Sequence, residues 1–238
     1  MAKFIVIDGL DGCGKATQTE LLKKKLESLG KRVIKIDFPK YDSDSSAAVR
    51  MYLNGELGND PEKLNPYMCG TFYAVDRYIQ YVTDWYKYFE EDDNTVVIAD
   101  RYLSANIIHQ GGKLEARDVR FRYAYWCYVQ ECGYCGLPKE DLTIVLTVKP
   151  EISQKLMSKR YKGDESKKDI HESNVDYLEK CYNRLKDTVE DIVKSGLANW
   201  VRIDCINDSG DNIDTEENIH NKIMKHVVEY IQNTQFFI

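Results

Sequence analysis

Seven residues near the start of the chain carry the clearest chemistry. Gly9, Leu10, Asp11, Gly12, Cys13, Gly14 and Lys15 set two glycines five apart, with a lysine directly after the second. Glycines let backbone N–H groups converge on phosphate oxygens, and a lysine at that place reaches the phosphate being transferred. The next residue usually offers a hydroxyl to magnesium. Here it is Ala16; Thr17 follows, about 100° further around a helix. A second group is Asp100 and Arg101. An arginine can grip phosphate through two parallel N–H bonds, and an aspartate can hold magnesium or its waters. Tyr73 and Arg77 form a third group, four apart on one helical face. A ring that stacks on a flat base and a guanidinium that bonds its edge make a base-recognition pair. The alternative is packing in a tyrosine-rich helix, the part assigned to Tyr78, Tyr81, Trp85 and Tyr88 as core or oligomer contact.

These groups need a frame that brings them to one crevice. Residues 4–8, 32–37, 95–100, 142–148 and 200–204 are short apolar runs separated by helical patterns. That alternation predicts an α/β fold, a parallel sheet covered by helices on both faces. Leu21, Leu22, Leu26 and Leu29 recur at helical spacing after the glycine loop, and Gly30 marks the stop. The order strand, glycine loop, helix is the one a phosphate cradle requires, since the helix N-terminus adds partial positive charge. Ligands of open parallel sheets bind at the carboxyl ends of the strands, so Asp100 and Arg101 are expected to face the same crevice as the loop. Two stretches read as mobile. One is residues 40–46. The other is residues 159–172, polar and basic, which composition makes a solvated loop and which has the character of a closing lid.

Composition bounds the rest. The 238 residues suit a single domain over 1–238, with no internal repeat or linker. The net charge of −6 is well mixed and argues for neither nucleic acid nor a membrane surface. The chain opens on a core strand, which leaves no room for a signal peptide, and no apolar run reaches bilayer length. Seven scattered cysteines point to reduced thiols and a cytoplasmic protein. Cys132 and Cys135 form a lone C-x-x-C at the close of a helical stretch, without the second pair a zinc site needs.

The stretches "GLDGCGK", "FPKYDSDSSAAVRMYLNGELG", "FYAVDR", "ADRYLSANIIHQGG" and "DIHE", in that order, resemble the thymidylate kinase family over nearly the full length. The resemblance implies a P-loop NTPase fold with a five-stranded parallel sheet, a mobile lid over about 159–172, and a homodimer. It implies transfer of the γ-phosphoryl group of ATP to dTMP, giving dTDP, with magnesium. Carried over, residues Gly9 to Thr17 cradle ATP and Lys15 contacts the transferring phosphoryl. Asp11 binds the acceptor sugar hydroxyl and helps organise the metal with Asp100. Arg101 holds the dTMP phosphate. Tyr73 stacks on thymine, Arg77 bonds the base carbonyl and the acceptor-phosphate side, and Asn106 reads the thymine edge. His109 falls near the place of a ribose 2′-hydroxyl, and Phe38 and Pro39 shape the pocket floor. There are three departures from the family pattern: Ala16; Lys40 and Tyr41 after the "FP" pair, where an arginine is common; and Ala105 beside Asn106. Gly12 stands where some relatives carry an arginine, which leaves Arg160, Lys162, Lys167 and Lys168 as lid cations, with Arg160 the expected catalytic one. Two alternatives stay open: a deoxynucleoside kinase of related fold, and a nucleotide-binding sensor with weakened catalysis.

Overall fold

The computed structural model describes residues 2–90, 94–164, 166 and 168–233. The five apolar runs become β1 (Lys3–Gly9), β2 (Arg32–Asp37), β3 (Thr95–Asp100), β4 (Leu142–Thr147) and β5 (Trp200–Asp204). They form one sheet in the order β2–β3–β1–β4–β5, with every neighbouring pair parallel. Burial follows position. The central strands β1, β3 and β4 are buried almost throughout, whereas the edge strands β2 and β5 leave residues partly open. A parallel strand covered on both faces needs a continuous apolar run, and the three central strands are those runs.

Alternation sorts each strand between two cores. Phe4, Val6, Val97, Ala99 and Val145 face one cluster, and Ile5, Ile7, Ile98, Ile144 and Leu146 face the other. The second cluster is closed by Leu22 and Leu26 of α1 (Lys15–Ser28) and by Ile219, Ile223 and Val227 of α8 (Glu216–Asn233). The first is closed by residues of α5 (Arg117–Tyr128) and α7 (Val175–Lys194) and by Trp85, just beyond α3 (Pro66–Thr83). Leu29, expected on the buried face of α1, is 46% exposed because it caps the helix as Gly30 turns the chain at φ 80°.

The glycine loop leaves the centre of the sheet, between β3 and β4. Ile7 is level with Asp100, and Gly9 with Leu146. At Gly9 the backbone takes φ 142°, and a Cβ would lie 2.0 Å from the Leu146 carbonyl oxygen. Only glycine fits there.

A third, smaller cluster lies beyond the carboxyl edge. Val49, Tyr52 and Leu53 of α2 (Ala47–Leu53) pack with Cys69 and Ile170. The loop 40–46 that leads into α2, expected to be mobile, is closely bonded. Asp76 of α3 accepts from the Lys40 amide at 3.0 Å, and Arg50 donates to the carbonyls of Tyr41 and Ser43 at 2.8 and 2.6 Å. All seven cysteines are free thiols. Cys135 is exposed and Cys132 half-buried, with its thiol pushed up to about 12 by burial; the other five are buried.

Candidate active site

A cavity of about 990 Å³ runs along the carboxyl edge of the sheet. The glycine loop forms its centre. Leu10 and Cys13 turn into the core, 3% and 0% exposed, so they contribute backbone only. Gly14, at φ 84°, caps α1 and turns the chain into it. Ala16 and Thr17 open onto the cavity from the first turn of that helix. The Lys15 ammonium lies back over the loop, donating to the Leu10 carbonyl at 2.7 Å and standing 3.7 Å from the Asp11 carboxylate.

Arg101 faces it from the end of β3. Its backbone is left-handed, φ 68°, a conformation uncommon outside glycine that aims the side chain back over the loop. The guanidinium is bonded to the Asp11 carboxylate, lies 3.7 Å from Asp8, and donates to the Gly9 carbonyl at 3.4 Å. Burial alone would raise the Asp11 carboxyl, but Arg101 and Lys15 hold it well below the usual carboxylate range. Asp100 lines the cavity beside them.

Asp8 was not singled out by the sequence. Its fully buried carboxylate accepts from the Gly9 amide at 2.8 Å and the Ser104 hydroxyl at 2.6 Å, and burial pushes it up. It ties the glycine loop to the short α4 (Leu103–Ala105) that follows β3. An acidic residue closing an apolar strand directly before the first loop glycine was the available signal.

On the other side of Arg101 the wall is built by α3 and by a π-helical stretch, Asn106–Gln110. Tyr73 lines the cavity half-buried, with Phe38 and Pro39 close to the end of β2. Asn106 also lines it, and its amide nitrogen donates to the Gly70 carbonyl at 3.0 Å. His109 stands with Nε2 3.3 Å from Arg101; burial drives its pKa down to about 3, so the ring is neutral.

Arg77 is not brought to the cavity. It is 1% exposed and makes a two-pronged pair with Glu131, both contacts at 2.7 Å. Glu131 lies just past α5 and is equally buried. A buried guanidinium needs a carboxylate partner, and this one supplies both of its acceptor oxygens. The expected base-recognition pair therefore reduces to Tyr73 alone.

The far wall comes from α6 (Pro150–Arg160) and the stretch after it. Ser153 of α6 donates to the Asp11 carbonyl at 2.6 Å, so this helix packs directly on the glycine loop. Arg160, the last residue of α6, is exposed, lines the cavity, and lies over the Tyr161 ring at 5.4 Å. Lys168 donates to Gln154 at 2.9 Å, and Lys167 lies outside the described residues. The stretch expected to be a solvated lid is anchored at its carboxyl end. Ile170, His171 and Glu172 are buried, and Tyr161 donates to Glu172 at 2.8 Å. Asp169 lines the cavity too, and burial with the nearby Asp11 pushes it up to about 7. Asp169 and His171 fall in the "DIHE" stretch that carries the family resemblance, but neither was named as a site residue, because the charged run around them reads as solvated.

Beyond Thr17 the cavity continues between α1 and α8, past Gln18, Ile213 and Ile219. Gln18 donates to the Glu216 carbonyl at 3.0 Å, which fixes this end of the cavity. The lining thus runs from Phe38, Tyr73 and Asn106 at one end to Gln18, Ile213 and Ile219 at the other, with Lys15 and Arg101 between them. Cations converging there can offset charge on a phosphoryl group in transit, and such a transfer needs little else from a protein.

The parallel sheet, the glycine loop and the opposed Lys15 and Arg101 define a phosphotransferase of the P-loop nucleotide-kinase class. A family model described as Thymidylate kinase matches residues 7–203. The chain belongs to the thymidylate kinase family. It is 30% identical over 156 residues to the thymidylate kinase of Mycobacterium tuberculosis (strain CDC 1551 / Oshkosh), covering 63% of this chain and 68% of that one. It is 28% identical over 233 residues to a probable thymidylate kinase of Methanosphaera stadtmanae, covering 96% and 99%. A thymidylate kinase structure from Candida albicans superposes with a TM-score of 0.62 at 18% identity, covering 99% of this chain and 93% of that one, which supports the fold.

Proposed function

We propose that the protein transfers the γ-phosphoryl group of ATP to dTMP, giving dTDP. The observation that carries this reading is the placement of Lys15 and Arg101 on one cavity, bridged by Asp11. The loop amides of residues 9–17 cradle the donor phosphates. Lys15 follows the phosphoryl group as it moves, and Arg101 grips the acceptor phosphate. Tyr73 stacks on the base, Asn106 faces its edge, and Phe38 and Pro39 floor the pocket. Neutral His109 fills the space beside the sugar. A deoxynucleoside kinase would face Arg101 with an uncharged 5′-hydroxyl, leaving the guanidinium without an anionic ligand. The test is ADP release from ATP and magnesium with dTMP, with thymidine, or with neither. We expect turnover with dTMP alone. Equal turnover of thymidine would remove the monophosphate assignment, and none with either acceptor would favour a nucleotide-binding sensor.

Magnesium fits the donor set. Among the described residues no cluster of three or more acidic, histidine or cysteine side chains could hold a metal. Magnesium needs only one or two carboxylates with waters and substrate phosphates. Asp11, held ionised, and Asp100 would supply them. Bound there, the cation neutralises phosphate charge. Ala16 supplies no ligand, so Ala16→Thr should lower the magnesium concentration that gives half-maximal rate. An unchanged magnesium dependence would show that the metal lies away from this position.

Arg160 is placed to approach the phosphates from the far wall. Arg160→Ala should lower kcat about tenfold while the KM for dTMP changes little, the pattern of a contact made in the transition state. Wild-type kcat would transfer that role to Lys162 or Lys168. Met68, Val75, Tyr78, Ile79 and Val82 leave an apolar stripe exposed along α3. It suits a homodimer contact, and a monomer mass on sedimentation would remove that reading. Seven free thiols fit a cytoplasmic location.

A further inference from the structure

The side chain of Tyr52 is 0% exposed and lies outside the cavity, yet its hydroxyl joins three separate parts of the wall. The Gln110 amide donates to it at 3.2 Å and the Lys113 ammonium at 3.1 Å. His171 Nε2 lies 2.6 Å from it. A tyrosine oxygen with two donors already on it has its own proton left to give. That proton goes to His171 Nε2, which places the ring proton of the neutral histidine on Nδ1. The hydroxyl is then fully engaged.

The connection continues in both directions. His171 stacks on His109, with centroids 5.5 Å apart and planes at 15°, and His109 touches Arg101. One residue earlier, the Ile170 amide donates to the Leu53 carbonyl at 3.2 Å, and Ile170 packs into the cluster formed by α2. One turn before Leu53, α2 carries Arg50, which holds the Tyr41 and Ser43 carbonyls. Tyr41 and Pro39 border the acceptor end of the cavity. A single seven-residue helix thus holds the acceptor loop through Arg50 and the 169–172 segment through Tyr52 and Leu53.

We propose that Tyr52 is a positioning residue whose hydroxyl latches His171 to α2, so that filling the acceptor pocket and docking the 169–172 segment favour one another. The proposal rests on the acceptor and donor assignment above and adds a coupling between the two ligands. An acceptor that settles Tyr41, Arg101 and His109 also settles the ring stacked on His109. The docked segment in turn closes the wall that Arg160 and Glu172 share with the donor. Coupling of this kind is reciprocal, because each ligand changes the affinity of the other by the same factor.

The test is calorimetric titration of dTMP, with and without magnesium and a non-hydrolysable ATP analogue. It is made on the wild type, on Tyr52→Phe, on His171→Phe and on the double variant. Phenylalanine keeps the ring packing at either position and removes the shared bond. We expect the analogue to tighten dTMP binding at least about fivefold in the wild type and less than about twofold in each single variant. The double variant should lose no more than either single one, as partners in one interaction do. A purely structural bond would lower the melting temperature and leave the ratio unchanged. That result in any folded variant overturns the latch, as does wild-type binding of dTMP with no response to the analogue. His171→Phe alters the segment and leaves α2 intact, so it serves if Tyr52→Phe does not fold. Failure of the wild type to bind dTMP at all overturns the acceptor assignment and the latch with it.

Discussion

Replacing Arg101 by alanine will lower kcat/KM for dTMP by about a hundredfold or more, the scale of a lost charge-stabilising contact in a water-poor site. Two effects act in the same direction. The acceptor phosphate loses its two-pronged partner. Asp11 and Asp8 lose the guanidinium between them, and their carboxylates then stand against an incoming anion. An exposed ion pair contributes about 0–1 kcal/mol, too little for such a loss, but here both side chains are mostly buried, 21% and 14% exposed. The pH dependence carries a sign. Burial raises Asp11, and Arg101 with Lys15 holds it down. Without Arg101 its pKa rises, so the acid limb of the rate profile moves to higher pH. Arg101→Lys keeps the charge and loses the planar fork, so its loss should be smaller. Steady-state kinetics with a melting curve check the fold and the rate together. Wild-type kcat/KM in a folded Arg101→Ala protein would place the acceptor phosphate elsewhere.

Lys15→Ala should have the second-largest effect, at least about tenfold in kcat with a small change in the KM for dTMP. Among the described residues the side chain reaches only loop atoms: the Leu10 carbonyl, the Asp11 carboxylate and the Cys13 sulfur. Its removal leaves the sheet and both cores untouched, so the variant should fold. The contrast with Arg101 is diagnostic. In the proposed roles, Lys15 serves the group in transit and should act on kcat, whereas Arg101 serves the acceptor and should act on KM as well. A folded Lys15→Ala protein with full kcat would show that the loop binds nucleotide without serving the transfer.

Patterns confined to a short window were the ones that survived. Each strand is a contiguous apolar run, so its place could be read within one or two residues. The glycine loop was legible because Gly9, Gly12 and Gly14 all take positive φ, a conformation that the residue type itself signals. Arg101 was legible because a residue just past a central strand must stand at the ligand edge. Arg77 shows where this ends. Its spacing from Tyr73 fixed a helical face, but its direction was decided by Glu131, 54 residues away. The role of Tyr52 depends on His171, 119 residues away; both fall in stretches that carry the family resemblance, yet nothing in either stretch points to the other. For the 159–172 stretch, composition matched the exposed residues before 169 and missed the burial of Ile170, His171 and Glu172. A polar average cannot reveal three buried residues at one end of a run.

The cysteines have a practical consequence. Thiol reagents attack the thiolate of an accessible cysteine. Five of the seven thiols are buried, and Cys132 is half-buried and hard to ionise, which leaves Cys135 alone in the open. The native chain therefore carries one addressable handle. A maleimide dye should attach there in near single stoichiometry without a cysteine-free background. Because Cys135 lies outside the wall of the cavity, the labelled protein should keep its activity and give an optical signal for following the molecule at work.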